Sequence, residues 1–294
     1  MAFSVNTNSG AMAALQSLNS TNRSMETTQS RITTGLNVAS TKDDSAKYTV
    51  AQTLRGDLGK LGAVTTSLNN AKSVTDVAVA GAEQISDLVN QMKSKALEAS
   101  DAGLDNESRK AISNDLLTLK KQINTVLEGS SFNGTNLLKG TAATVATDGK
   151  VSALQSINGD TLTVANQALS EAADTAFGAS GTDTDITNVG LDDDGTAGTG
   201  SGAADALLTK LDSFFDTVKT SLSDLGAGSR QIEGQLSFNS NLNDVISTGI
   251  GSLVDADLAK ESANLQALQV QQQLGVQALS IANQAPQTLL SLFR

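Results

Sequence analysis

The chain has 294 residues, a formal net charge of −11, 3% aromatic residues, one Pro and neither His nor Cys nor Trp. The missing His and Cys exclude imidazole acid–base chemistry, thiolate nucleophiles, the usual zinc sites and disulfides. The acidic balance argues against nucleic acid or anionic membrane as partners, and so few aromatics suit long helices packed side by side.

Residues 1–22 carry no charged side chain. They lack the basic region and apolar core of a cleaved secretory signal, so any export is expected to use another route. Ala11, Leu15, Leu18, Asn22, Met25, Gln29, Ile32 and Leu36 alternate spacings of four and three, which predicts a helix with a heptad seam. Asn22 and Gln29 are its polar seats, candidates for fixing register or for facing water. A second seam runs through Val64, Leu68, Ala71, Thr75, Ala78, Ala82, Ile85, Val89, Met92, Ala96 and Ala99. A break follows at Ala102-Gly103. Asp105 is then a candidate N-cap, with Ser108 three residues on. The third helix uses Ile112, Leu116, Leu119, Ile123 and Val126.

The middle changes character. Asn133-Gly134 is a turn signal, followed by β-prone pieces such as TVAT and TLTVA between DGK and NGD turns. Residues 141–205 hold ten acids and one Lys, and are expected to face solvent as a small lobe or loop. The DDDG at 192–195 does not seat in an EF-hand register.

Helical periodicity returns with Leu207, Leu211, Phe214, Val218, Ser221, Leu225, Ser229, Ile232, Leu236, Asn239, Asn243, Ile246, Ile250 and Leu253. The frame then slips by one residue to Val254, Leu258, Glu261, Leu265, Leu268, Gln272, Gly275, Leu279 and Ala282. Such a slip predicts a joint near residues 250–255. From Ser262 to Phe293 there is again no charge, and Val270, Leu274, Val276, Ile281, Leu289, Leu290 and Phe293 occupy other faces. A helix that is apolar on several faces wants several neighbours. Eight Gln between 262 and 293 make it a poor membrane span, since each unpaired amide in hydrocarbon costs about 2–7 kcal/mol. The physical reading is self-association: both ends bury their apolar surface against other copies of the chain. The alternatives are an intramolecular bundle with apolar caps, and an interfacial membrane helix, which lacks the expected Lys/Arg face.

Three stretches carry a resemblance. RITTGLNVASTKDDSAKYTVAQTLRGDL resembles the N-terminal signature of the bacterial flagellins, SSFNGTNLLKG resembles their FNG turn, and LVDADLAKESANLQALQVQQQLGVQALSIANQAPQTLLSLFR resembles their C-terminal helix. The likeness covers about 1–140 and 205–294 and leans toward the short alphaproteobacterial members. It departs at Ser45, Lys47 and Tyr48.

The resemblance implies a mainly α fold: a long antiparallel helical coiled-coil bundle in two layers, with a β-hairpin from the FNG region and a small polar insert. Residues 1–40 and 254–294 would line a filament channel, 41–140 and 205–253 would form the outer helical bundle, and 141–204 would be the exposed variable part. Subunit contacts would then use Ala11, Leu15, Leu18, Met25, Ile32 and Leu36 with Leu258, Leu265, Leu268, Leu274, Val276, Leu279, Ile281, Leu289, Leu290 and Phe293. The bundle core would use Leu68, Ile85, Met92, Ile112, Leu116, Leu119, Ile123, Leu211, Phe214, Val218, Ile232 and Leu236. The resemblance also places Gln91 and Lys95 where the family's immune-receptor face carries Arg and Leu, so receptor signalling is expected to be weak or absent. Expected partners are identical or sibling flagellins, an export chaperone, the filament cap and the hook-associated junction proteins, with no nucleic acid, no membrane insertion and no cofactor. The implied role is a secreted, non-enzymatic subunit of the swimming filament, located in the extracellular bacterial flagellum. Competing readings are a hook–filament junction protein and a secreted adhesin or effector with export-type ends; the DD, FNG and LSLFR motifs favour the filament subunit.

Overall fold

The structure is a computed structural model that describes residues 8–140, 149–178, 183–191 and 199–292, with side chains described as far as 284. It holds α1 (Ser9–Thr34), α2 (Ser45–Ala99), α3 (Asn106–Gly129), β1 (Val151–Leu154), β2 (Thr161–Val164), α4 (Leu169–Phe177), α5 (Thr184–Val189), α6 (Gly200–Val254) and α7 (Leu258–Leu292). The chain divides into two compact units, Gly59–Leu242 and Met1–Leu58 with Asn243–Arg294.

In the unit of 59–242, α2 and α6 run antiparallel. Lys93 pairs with Asp212 at 2.5 Å, Lys72 pairs with Glu233, and the Asn239 amide donates to Leu61 O at 3.1 Å and Thr65 Oγ1 at 2.7 Å. Every member of the predicted seam from Val64 to Ala99 is 3% exposed or less, Thr75 included. Thr75 tolerates burial because its hydroxyl returns to Ala71 O in its own helix at 2.9 Å. The α6 residues Leu211, Phe214, Val218 and Ile232 are buried opposite, and Leu236 is partly buried against the same core.

α2 stops at Ala99, before the predicted break at Ala102-Gly103. Arg109, fully buried, donates its guanidinium to Ala99 O at 3.3 Å and Asp101 O at 2.8 Å, satisfying carbonyls the helix end leaves open. Asp105 caps α3 as expected, accepting from Ser108 N at 2.6 Å. On α3, Ile112, Leu116 and Ile123 are buried, but Leu119 and Val126 are only partly so. Lys120 and Leu127 are buried instead, Lys120 because the α4–α5 segment covers its flank of the helix.

The FNG motif folds as a tight turn. Phe132 and Thr135 exchange backbone hydrogen bonds of 3.0 Å around Asn133 (φ 49°) and Gly134 (φ 80°), a pairing that Asn-Gly suits. Asn136 then donates to Leu127 O at 2.7 Å and accepts from Leu138 N and Lys139 N, which drops Leu137 and Leu138 into the core. The β-hairpin expected from this motif lies further on. It is the antiparallel pair β1–β2, with Val151 opposite Val164 and the NGD turn between the strands. The TVAT piece falls outside the described residues.

The expectation that the insert faces solvent is corrected in its described parts. Val151, Ala153, Leu162 and Val164 alternate into the core, followed by Leu169, Phe177, Ile186 and Val189. Phe177 meets Phe214 edge-to-face, with centroids 5.3 Å apart. Lys120, 3% exposed, donates to Gly178 O at 2.7 Å and pairs with Asp183; Lys210 pairs with Asp185 at 2.7 Å; Ser113 donates to Ile186 O at 2.8 Å. The insert's acidity hid a minority of apolar residues at the two periodicities that make elements.

In the other unit, α1 and α7 pair antiparallel. Asn8 Nδ2 donates to Ala282 O at 2.7 Å, Gln272 Nε2 to Asn22 Oδ1 at 2.8 Å, and Arg31 pairs with Glu261 at 3.3 Å. The predicted frame slip falls at the joint between α6 and α7. There Asn37 N and Val38 N donate to Val254 O, and Ala256 N to Gly35 O, so the two connecting segments brace one another. The paired aspartates divide the work. Asp43 closes the loop by accepting from Ala39 N, Ser40 N and Ser40 Oγ, and Asp44 accepts from Lys47 N at the start of α2. Val38, Ala51, Ile250 and Val254 form a small core beside them.

Candidate assembly surface

α1 begins with Asn8 as N-cap and ends on Gly35 in the left-handed region (φ 71°). Its half-buried residues against α7 are Ala11, Leu18, Met25 and Ile32, joined by Ala14 and Thr21, and Thr28 is buried. Leu15 and Gln29, expected on the seam, are exposed. Two heptad frames share Ala11, Leu18, Met25 and Ile32, and α7 approaches on the flank that takes Ala14, Thr21 and Thr28. Asn22 stays at the seam's edge, where Gln272 meets it. Leu36 lies beyond the helix, half-buried in the small core and bridged to Asp255.

α7 has two unlike sides. Leu265, Leu268, Gln272, Gly275, Leu279 and Ala282 are half-buried on α1. Val270, Leu274 and Ile281 stand two residues beyond Leu268, Gln272 and Leu279, about 200° around the helix. They are 56%, 58% and 68% exposed. Val276 and Leu258 are exposed as well, and on α1 so is Met12, at 69%. Leu289 and Leu290 fall where side chains are not described, and Phe293 lies outside the described residues. This exposed apolar surface is nearly free of charge, so water neither solvates it well nor opposes its burial by another helix.

The expected bundle residues Leu68, Ile85, Met92, Ile112, Leu116, Ile123, Leu211, Phe214, Val218 and Ile232 come together in one core of the 59–242 unit, with Leu119 and Leu236 at its margin. Gln91 is exposed and Lys95 half-buried. Both line a shallow groove with Ser94, Glu98, Asp115 and Leu119. The Lys95 ammonium lies 3.2 Å from Glu98 and 3.7 Å from Asp115, and the Glu98 hydrogen bond in particular holds its pKa above the usual lysine value.

Loops and caps shift two further carboxylates. Asp43 is held below the ordinary carboxylate value by the backbone N–H of Ser40, and Asp105 by that of Ser108. Among the described residues no group of carboxylates is placed to hold a metal ion, and no helix is long and apolar enough to cross a membrane. Sequence reasoning passed over the exposed Leu97, Phe238 and Val245, since a lone apolar residue outside a seam gives no periodic signal.

Known proteins match this arrangement at both ends. Residues 5–143 match the bacterial flagellin N-terminal helical region, and 208–293 the bacterial flagellin C-terminal helical region. Flagellin FljM of Caulobacter vibrioides is 40% identical across 99% of this chain and 98% of its own length. A flagellin of Brucella melitensis is 38% identical across 99% of each chain, and flagellin C of Rhizobium meliloti 34% across 99% of each. A structure described as that of a flagellar hook-associated protein from Vibrio parahaemolyticus covers 72% of this chain and all of its own, with a TM-score of 0.59 at 13% identity, a likeness of fold alone.

Proposed function

The chain belongs to the bacterial flagellin family, and from that premise we infer how it works as a structural subunit of the flagellar filament. The observation that carries the mechanism is α7. One side is met by α1, and among the described residues the opposite side leaves Val270, Leu274 and Ile281 mostly exposed. That second side is satisfied by another copy. The burial supplies roughly 25 cal/mol per Å² of apolar area, against the entropy of ordering the helices. A contact between unlike surfaces repeats without closing and generates a helical tube.

In this reading 1–40 and 254–294 form the inner layer around the channel. Residues 41–140 and 205–253 form the layer outside it, and 141–204 lie on the outer surface, with the apolar side of their described part packed on the helices. The subunit contacts are made by Ala11, Leu15, Leu18, Met25, Ile32 and Leu36 with the α7 residues Leu258 to Ile281, continued by Leu289, Leu290 and Phe293. The chain works outside the cell and catalyses nothing. Identical or sibling flagellins are its main partners, with a chaperone on the C-terminal helix, a cap at the tip and junction proteins at the base. The Gln91 and Lys95 groove lacks an arginine for receptor recognition, so purified monomer should signal weakly or not at all in receptor-reporter cells, and full potency would refute this.

Deleting residues 270–294 tests the reading. The shortened chain should keep the helical spectrum of the 59–242 unit and form no filaments by electron microscopy. Filaments at normal yield would end it.

A further inference from the structure

The chain has one proline, Pro286, and it stands inside α7, which continues past it to Leu292. Along a helix the carbonyl of residue i accepts from the N–H of residue i+4. Proline has no N–H, so Pro286 takes away the donor that Ala282 O would receive from its own helix. Ala282 is half-buried against α1. An unmet carbonyl is costly there, because the neighbouring helix displaces the water that would otherwise satisfy it.

The missing donor comes from 274 residues away: Asn8 Nδ2 donates to Ala282 O at 2.7 Å. The other end of the same amide is also in use. Asn8 is the N-cap of α1, and its Oδ1 accepts from Ala11 N at 3.0 Å. The two partners fix the amide's orientation independently, since a backbone N–H needs an acceptor and a carbonyl needs a donor. Gly10 lies beside this bond. A Cβ built there would come 3.9 Å from Ala282 Cβ, so the two helices approach closely at this level. Ser and Asp cap helices about as well as Asn. Of the three, only Asn carries an acceptor for α1 and a donor for α7 on separate atoms.

We propose that Asn8 and Pro286 form a latch: the last turns of α7 hold their helical course only when the start of α1 has seated against them. Capping α1 and repairing α7 are then one event, and the two chain ends order together. Pro286 is the residue that makes the C-terminal turns depend on the N-terminus, because any other residue there would let α7 satisfy its own carbonyl. The latch is a property of a single chain, and polymer formation serves only to read it.

Asn8→Ser keeps the cap and removes the donor, because a hydroxyl held at Ala11 N stops short of Ala282 O. In the full-length polymer the backbone amides of 287–292 should then exchange with solvent roughly three- to tenfold faster, the worth of one hydrogen bond. The critical concentration for polymerisation should rise by a similar factor. Pro286→Ala restores an N–H to Ala282 O from within α7, and in that background Asn8→Ser should change neither quantity. Wild-type behaviour from Asn8→Ser alone would mean that Asn8 only caps α1. A loss of equal size with and without Pro286 would mean that the proline plays no part. Either result overturns the latch. If Pro286→Ala itself does not polymerise, Asn8→Asp decides with Pro286 in place. Its carboxylate caps α1 and cannot donate, so it should reproduce the loss seen with Asn8→Ser, and wild-type exchange overturns the proposal. Failure of the unmodified chain to polymerise strikes the filament reading instead, and the same exchange comparison on the free chain then decides the latch.

Discussion

The side-chain amide of Gln272 donates to Asn22 Oδ1 at 2.8 Å, across the α1–α7 seam. The two residues are 250 apart in sequence. Their meeting fixes one axial register between helices whose apolar contacts alone tolerate sliding. Gln272→Leu should therefore remove about 0.5–1.5 kcal/mol from the pair and leave the Asn22 amide short of a partner. A double-mutant cycle with Asn22→Leu, read as the heat stability of the assembled polymer, should show a coupling of that size. Additive losses would mean the two amides act independently.

Gly81 offers a sharper local test. A Cβ built there would lie 2.1 Å from Ser130 Oγ and 3.0 Å from Leu138 Cδ1. Ser130 Oγ is itself held by Val126 O at 2.6 Å. Gly81→Ala should destabilise the 59–242 unit by about 1–3 kcal/mol, the range for overpacking a tight core, despite the better helix propensity of Ala. The urea midpoint measures it.

Lys120 ties the insert to α3. Lys120→Met removes the donor from Gly178 O and the partner from Asp183 while keeping the apolar stem. The expected loss is about 1–3 kcal/mol, since Asp183 keeps partial access to water. Proteolysis should begin first within 178–191. Unchanged cleavage would show that Phe177 and Ile186 hold the segment without the ammonium.

The pH profile should be a broad plateau. Asp43, Asp105, Asp216 and Glu233 all titrate below their ordinary values, through backbone N–H groups in the first two and through Lys219 and Lys72 in the others. A lowered carboxylate pKa stabilises the fold above the unfolded value, here 3.8 for Asp and 4.5 for Glu, and the gain fades as pH falls through the folded value. Lys72 and Lys95 are raised above 10.5, chiefly by Glu233 and Glu98, so their contribution is present below 10.5 and is lost as pH rises through the folded value. With no His or Cys to titrate between, Tm by circular dichroism should be flat from about pH 5 to 9 and fall on either side. A step near pH 6–7 would contradict this assignment.

Much of the fold was legible in the sequence, and for one reason. A heptad seam is a local pattern, and from Val64 to Ala99 it survives burial residue for residue. The cap at Asp105, the turn at Asn133-Gly134 and the joint after Leu253 are equally local. Each depends on the chemistry of a few adjacent residues. The charge-free ends could likewise be read directly, because absence of charge over 32 residues is a property of composition.

What only the tertiary structure decided depends on which neighbour arrives. Ala11, Leu18, Met25 and Ile32 fit two frames of α1, and the approach of α7 chose Ala14, Thr21 and Thr28 over Leu15 and Gln29. Lys120 reads as a surface residue until α4 and α5 cover it and Asp183 supplies the counter-charge. The acidic insert reads as solvated until its sparse apolar positions meet α3 and α6. Sequence specifies where an element begins, ends and turns its apolar side. The free energy of burial is shared between elements, so which flank is buried, and which polar group goes with it, is settled only when they pack.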